Sequence, residues 1–208
     1  MKRTVLLMMM VVAVLTTSAQ EKRYGIESAI LKKNSVIKMP GMEQTLSSTQ
    51  YIADYGNKES AETVMSMQGQ TFNIFTMLKD GYVYSANLTF KQGTKINMAA
   101  VMDDYTTVNY LNLTDDVKEK YQIVEKGNEQ FLGKDCKSYE MTVTAQGQTV
   151  KVSVLVWQGL ALKSSTKTTT ILENSMTEET IEILEGVEIA KEKFELPEGI
   201  NFTDATPQ

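Results

Sequence analysis

No histidine occurs anywhere in the chain, and cysteine occurs once, at Cys136. The first absence removes serine–histidine and cysteine–histidine catalysis, histidine general bases and the usual zinc ligand sets, because each needs an imidazole. The second removes iron–sulfur and thiol-rich metal sites and any intrachain disulfide. Proline is scarce as well: Pro40, Pro197 and Pro207 lie near the ends, and no Gly/Ser-rich or Pro-rich stretch divides the middle. The glycines are scattered, forming neither a phosphate loop nor a dinucleotide fingerprint, so nucleotide chemistry is disfavoured and no cofactor is expected. Positive charge is the minority, 21 Lys and Arg against 26 Asp and Glu. Lysines sit singly among acids, whereas phosphate binding is carried by clustered cations, which argues against nucleic acid as a partner.

A long apolar run occurs only at the start. Lys2 and Arg3 form a positive region, Val5 to Leu15 an apolar one, and Thr17-Ser18-Ala19 supply the small residues that a signal peptidase reads. As a helix the apolar run would span about 16 Å against a hydrocarbon core of roughly 30 Å, too short for a permanent anchor. The expectation is a signal peptide over 1–19, cleaved after Ala19, and a single β-rich domain over 20–208 in the periplasm or outside the cell, with no transmembrane segment. Gln20, Glu21 and Lys22 follow the cleavage site, so no cysteine is there to carry a lipid. Losing Lys2 and Arg3 makes the net charge of −5 two units more negative. A domain of this length buries about 70 % of its unfolded surface and needs no staple.

From Tyr24 onward apolar and polar residues alternate with turn residues at short intervals, the pattern of half-buried antiparallel strands. Asp80-Gly81 suits a type I′ turn, which pairs Lys79 with Tyr82, Met77 with Tyr84 and Phe75 with Ala86. Phe75, Met77, Tyr82, Tyr84, Leu88 and Phe90 then share one face. A second hairpin around Gln146-Gly147 puts Tyr139, Met141, Val143, Val150, Val152, Val154 and Val156 on one side, with Thr and Lys on the other. Further strands are expected over 24–31, 44–54, 62–67, 160–170 and 177–184. Thr114 followed by Asp115 and Asp116 predicts a short helix to Tyr121, and Met98 to Tyr105 a second helical turn.

The carboxylate pairs Asp103/Asp104, Asp115/Asp116 and Glu178/Glu179 read as solvated or capping groups before they read as acid–base machinery. Neighbours on a strand point to opposite faces, and neighbours at a helix start serve the dipole. Cys136 is open between a buried inert thiol, an intermolecular disulfide and a reactive thiol, and the first is the commonest state for a cysteine with no base beside it. Methionine is what remains. Met65, Met67, Met77 and Met141 fall on strands, where thioethers fill core gaps or line a surface that accepts varied apolar groups.

Several segments carry a resemblance: Tyr51-Ile52-Ala53-Asp54-Tyr55-Gly56, Leu111-Asn112-Leu113-Thr114, Leu132-Gly133-Lys134-Asp135-Cys136, Val156 to Lys163, and Phe194-Glu195-Leu196-Pro197-Glu198-Gly199. Together they resemble secreted proteins of Gram-negative bacteria whose architecture is similar to the LolA/LppX lipoprotein-carrier half-barrel. The resemblance implies a mainly β fold, a curved antiparallel sheet over one or a few short helices, sheltering an apolar cavity. It assigns no site residues. The function expected is non-enzymatic binding of a lipid, lipoprotein or other apolar ligand. The ligand face is drawn from Met65, Met67, Phe75, Met77, Tyr84 and Leu88 in one hairpin region and Met141, Val152 and Val154 in the other. The alternative is an envelope protein-interaction domain with a self-filled core, presenting Thr166 to Thr170 and Glu178-Glu179 as a wet polar surface.

Overall fold

Alternation prevails along almost the whole chain. The computed structural model describes residues 22–67, 69–101, 108–145, 148–169 and 174–206. The expected leader and cleavage site, the Asp103/Asp104 pair, the Gln146-Gly147 turn and Thr170 lie outside them. The strands are β1 (Ala29–Met39), β2 (Met42–Ala53), β3 (Lys58–Met67), β4 (Gln70–Lys79), β5 (Tyr82–Asn87), β6 (Gln92–Asn97), β7 (Val124–Phe131), β8 (Lys134–Ala145), β9 (Gln148–Trp157), β10 (Leu160–Thr169), β11 (Asn174–Glu185) and β12 (Asn201–Asp204). They form one sheet in the order β12-β6-β5-β4-β3-β2-β1-β11-β10-β9-β8-β7. Among these strands only β12 pairs in parallel, with β6. The sheet is curved and unclosed, the half-barrel that the resemblance implied.

Both expected hairpin registers hold. Lys79 pairs with Tyr82, Met77 with Tyr84 and Phe75 with Ala86. Tyr139 pairs with Val154, Met141 with Val152 and Val143 with Val150. Asp80-Gly81 has φ of 52° and 77°, and Leu132-Gly133 and Gln158-Gly159 turn in the same way. The helix Asp115–Lys120 begins at Thr114, whose hydroxyl accepts from the Val117 amide at 3.4 Å. Of the expected turn at Met98 to Tyr105, Met98–Val101 is helical and the remainder lies outside the described residues.

Elsewhere the boundaries move. Residues 24–28 are not strand; β1 starts at Ala29 and continues through the polar stretch to Met39. The backbone amides of Arg23 and Tyr24 donate instead to the Tyr55 carbonyl, at 3.0 and 3.1 Å, and Gly25 donates to Gln158 O at 2.8 Å. Leu88 and Phe90 were expected beside Phe75. They lie past the end of β5, and Phe90 meets Phe72, a residue of the opposite face, at 5.6 Å between ring centroids. The amide of Leu88 donates to Asn73 O and the Asn87 side chain accepts from the amides of Thr89 and Phe90, so a turn replaces the alternation. The β7 edge is exposed except at Phe131. A bulge at Glu125/Gly127 and alternating charges blunt it against pairing with another chain.

Among the described residues the core has three parts. Leu31, Ile52, Leu160 and Leu162, each at most 2 % exposed, pack together near the bulges of β11 against β1 and of β10 against β9. Tyr139, Met141, Val154 and Val156 are covered by Val108, Tyr110, Leu113 and Val117. Phe75, Met77 and Ala86 are covered by Leu196, Ile200 and Phe202.

Candidate functional site

Side chains alternate along each strand, so the strand registers carry one face across the sheet. Tyr139, Val154, Ser164, Glu178, Ser35, Leu46, Met65 and Phe72 stand in a row from β8 to β4. Met141, Val152, Thr166, Met176, Ile37 and Gln44 form the next row. Lys33 lies on the same face, two residues from Ser35. This Lys33 face is apolar at both ends and polar in the middle.

The residues expected to line a ligand face are divided by this arrangement. Met65, Met67, Met141, Val152 and Val154 lie on the Lys33 face. Phe75, Met77 and Tyr84 lie on the opposite one, where Tyr84 meets the Phe202 ring edge-on at 5.2 Å. Leu88 belongs to neither, being in the turn after β5. Alternation fixes faces within a hairpin, but which faces of two distant hairpins coincide depends on every strand between them.

The polar middle of the face is closely buried. Lys33 Nζ lies 2.9 Å from Glu178 Oε1, with the two side chains 8 % and 13 % exposed. The Ser35 hydroxyl donates to the other Glu178 oxygen at 3.2 Å. Thr166 and Thr180 are 7 % and 0 % exposed, and among the described residues neither hydroxyl has a hydrogen-bond partner; the Gln44 side-chain amide nitrogen also lacks one. An unpartnered buried polar group costs about 1–3 kcal/mol. Each of these groups can donate and the Lys33–Glu178 charges sum to zero, but the atoms are closed to solvent, so a neutral acceptor such as a carbonyl reaches them only if the face opens. The expectation of a wet surface from Thr166 onward is corrected here. Thr166 and Glu178 turn inward, whereas Lys167 and Glu179 are exposed on the other face, Glu179 paired with Lys163 at 3.2 Å.

Lys33 was not singled out from Lys32, which is exposed and pairs with Glu182. The available signal was parity with Leu31, Ser35 and Ile37. Arg23 was missed as well. Its guanidinium donates to Gly56 O at 2.9 Å, the Tyr24 hydroxyl at 2.8 Å and Glu59 at 2.9 Å. Burial, and then the Glu59 carboxylate, push the Tyr24 phenol well above its ordinary range.

The other sequence candidates fall into structural roles. Glu178 and Glu179 point to opposite faces, and Asp115 pairs with Lys118 at 3.0 Å on an exposed helix. Cys136 is 1 % exposed, its Sγ 3.7 Å from Lys134 O, and burial raises its thiol pKa. A groove of about 560 Å³ opens near the Leu132-Gly133 and Gln158-Gly159 turns. Its rings are already engaged: Lys134 lies 4.4 Å over Trp157, and Tyr110 packs on Tyr139 at 5.5 Å.

No protein-family model matches the chain, and no curated protein is significantly similar to it. Solved structures do match. An uncharacterized conserved protein from Thermus thermophilus superposes with a TM-score of 0.50 at 9 % identity, over 86 % of this chain and 90 % of that one. A LolA superfamily protein from Nitrosomonas europaea gives 0.39 at 12 % identity, over 85 % and 93 %. A DUF1329 family protein from Desulfovibrio piger gives 0.40 at 12 %, over 82 % and 90 %. At these identities the likeness is one of fold.

Proposed function

We propose that the chain is an exported, non-enzymatic binding module of the cell envelope, its leader 1–19 removed after Ala19 and residues 20–208 folding as one domain. Its Lys33 face holds an amphiphile. The observation that carries this reading is the pair of buried, unpartnered threonine hydroxyls beside a charge-neutral Lys33–Glu178 pair. Leu46, Met65 and Phe72 continue the same face and receive the apolar part of the ligand. A lipid or lipoprotein with ester or amide carbonyls fits this donor-rich, neutral belt better than a bare hydrocarbon does. The early burial of Arg23 and Tyr24 supports a leader boundary shortly before them.

Mass spectrometry after organic extraction of gently purified protein tests the reading. Stoichiometric acyl ester or amide is expected, with less of it retained by Thr166→Val, which removes a hydroxyl at nearly constant volume. Protein that carries no ligand from its native envelope defeats it.

The second reading, an envelope protein-interaction domain, is favoured by one observation. Two of the three core clusters are filled by the chain's own cover segments, Leu196 to Phe202 and Val108 to Val117. Crosslinking to a single dominant envelope protein, with no extractable amphiphile, would select it.

A further inference from the structure

The two sides of the sheet end differently. β7 is bulged against β8 and exposed except at Phe131. On the other side β6 keeps an unbroken register against β5, and its outer edge is filled by a separate segment, the strap 187–206. The strap leaves β11 at Gly186, whose amide donates to Ser28 O at 3.0 Å, and makes one helical turn over Lys191–Phe194. It then crosses the face opposite Lys33 and ends in β12. Lys193 fastens its middle. The Ser60 hydroxyl donates to the Lys193 carbonyl oxygen, and Lys193 Nζ lies 2.6 Å from Glu62 Oε1 and 4.6 Å over the Tyr51 ring.

Past this latch, Leu196, Ile200 and Phe202 lie half-buried over Phe75, Met77 and Ala86, none of which is more than 4 % exposed. Gly93 of β6 is buried as well, and a Cβ there would lie 2.6 Å from the Phe202 ring and 2.8 Å from Ile200 Cγ2. The nearest atoms all belong to the strap, so the missing side chain makes room for a strand and not for the sheet. Asp204 stands opposite Lys95 in the parallel register. The edge thus receives aliphatic, aromatic and acidic side chains at alternate positions, here Ile200, Phe202 and Asp204.

The resident strand uses only part of this edge. β12 has four residues, where the next shortest strands, β5 and β6, have six. Its register stops at Lys95, and beyond it the Asn97 amide is met by the Thr206 hydroxyl instead of by a strand. An extended chain that continued beside Ile96 and Asn97 would keep the side-chain contacts of the resident and add backbone hydrogen bonds, the source of affinity when a strand is added to a sheet edge. The resident's advantage is its tether, equivalent to a concentration on the order of mM. Longer pairing is what a competitor needs to overcome it.

We propose that the outer edge of β6 is a docking site for an extended segment of a partner protein, with aliphatic, aromatic and acidic side chains at alternate positions, and that 200–206 is the resident strand it replaces. The site is on the face opposite Lys33, so it stands or falls separately from the amphiphile reading.

Fluorescence anisotropy of a labelled synthetic peptide, residues 195–206 with Ala205→Val and Thr206→Val, added to the chain 20–208, tests this. Saturable binding is expected, and the unaltered sequence binds about tenfold more weakly because it adds no pairing over the resident. Phe202→Ser in the chain weakens the resident and leaves the seat intact, so it tightens peptide binding by roughly tenfold. Gly93→Val fills the seat and blocks the peptide. Hydrogen exchange reads the replacement directly: on binding, the chain's own amides at Asn201–Asp204 lose protection while those of β6 keep it. A peptide that fails to bind the Phe202→Ser chain, or that binds with Asn201–Asp204 still protected, would overturn the inference. So would an extended strand that binds no better than the unaltered sequence, since the resident would then be the best occupant of the edge.

Discussion

The two ends of the half-barrel are built by opposite means. Where the chain enters, Arg23 is held by Gly56, Tyr24 and Glu59, the Ser28 hydroxyl donates to Val187 O at 2.8 Å, and Leu31, Ile52, Leu160 and Leu162 are sealed from solvent. At the other end, Met42, Met67 and Phe90 face solvent on open turns. The contrast teaches that buried hydrogen bonds and sealed leucines close the entry end, while exposed apolar side chains occur at both ends, Leu111 and Leu132 near the entry as well as Met42 and Phe90 away from it. The largest test of it is Arg23→Met, which strands the Glu59 carboxylate, whose side chain is only 10 % exposed. A loss of about 3–5 kcal/mol in urea denaturation is expected. Lys33→Met should cost a similar amount, and adding Glu178→Leu should restore most of it, because removing both charges removes the uncompensated one.

A pair of glycines sharpens the comparison. Gly159 has φ +83°, and a Cβ there would lie 2.6 Å from the Arg23 carbonyl oxygen; Gly41 has φ +76° with open space around it. Alanine at Gly41 should cost only the left-handed strain, about 1–2 kcal/mol. Alanine at Gly159 adds a backbone overlap that no rotamer relieves, and should cost visibly more by thermal melting. Equal costs at the two positions would erase the distinction between the ends.

Much of this architecture was legible in the sequence, because local periodicity carries strand identity and register. Asp80-Gly81 set the Phe75–Ala86 pairing, and the valine row from Val150 to Val156 set its partners on β8. What was not legible depends on distant strands. No local pattern tells that β1 separates the two arms of the sheet or that Phe75 and Val154 face opposite ways, and the parity of Lys33 with Leu31 and Ile37 does not by itself say that its face is the buried one. The polar strand β7 and the short strands β6 and β12 lack clear alternation and are held in place by their partners.

Alkaline titration probes the closed end at smaller amplitude. The Tyr24 phenol has its folded pKa raised above the ordinary 10.0, chiefly by burial and then by Glu59. The unfolded chain therefore loses this proton first, so the contribution is intact below about pH 10 and declines as pH rises beyond it. Tyr110, also raised by burial, adds to the same slope. Each group contributes up to about 1.4 kcal/mol per pH unit. Tyr24→Phe should flatten the fall in unfolding free energy between about pH 10 and 12, even though it lowers stability at neutral pH by removing a partner of Arg23 and Glu59.

The smallest effect is expected at the end away from Arg23. Met42→Ser and Met67→Ser remove side chains that are about two-fifths exposed, and should change the unfolding free energy by no more than about 0.5 kcal/mol. Leu160→Ala at the closed end should cost about 2–5 kcal/mol, since that side chain is 2 % exposed and leaves a cavity behind. If the methionine substitutions proved as damaging as the leucine one, these turns would belong to the core and the two ends would not differ in this respect. If they prove neutral, these turns contribute little to stability and the sealed leucines at the entry end carry it, single exposed apolar side chains being ordinary on a folded surface.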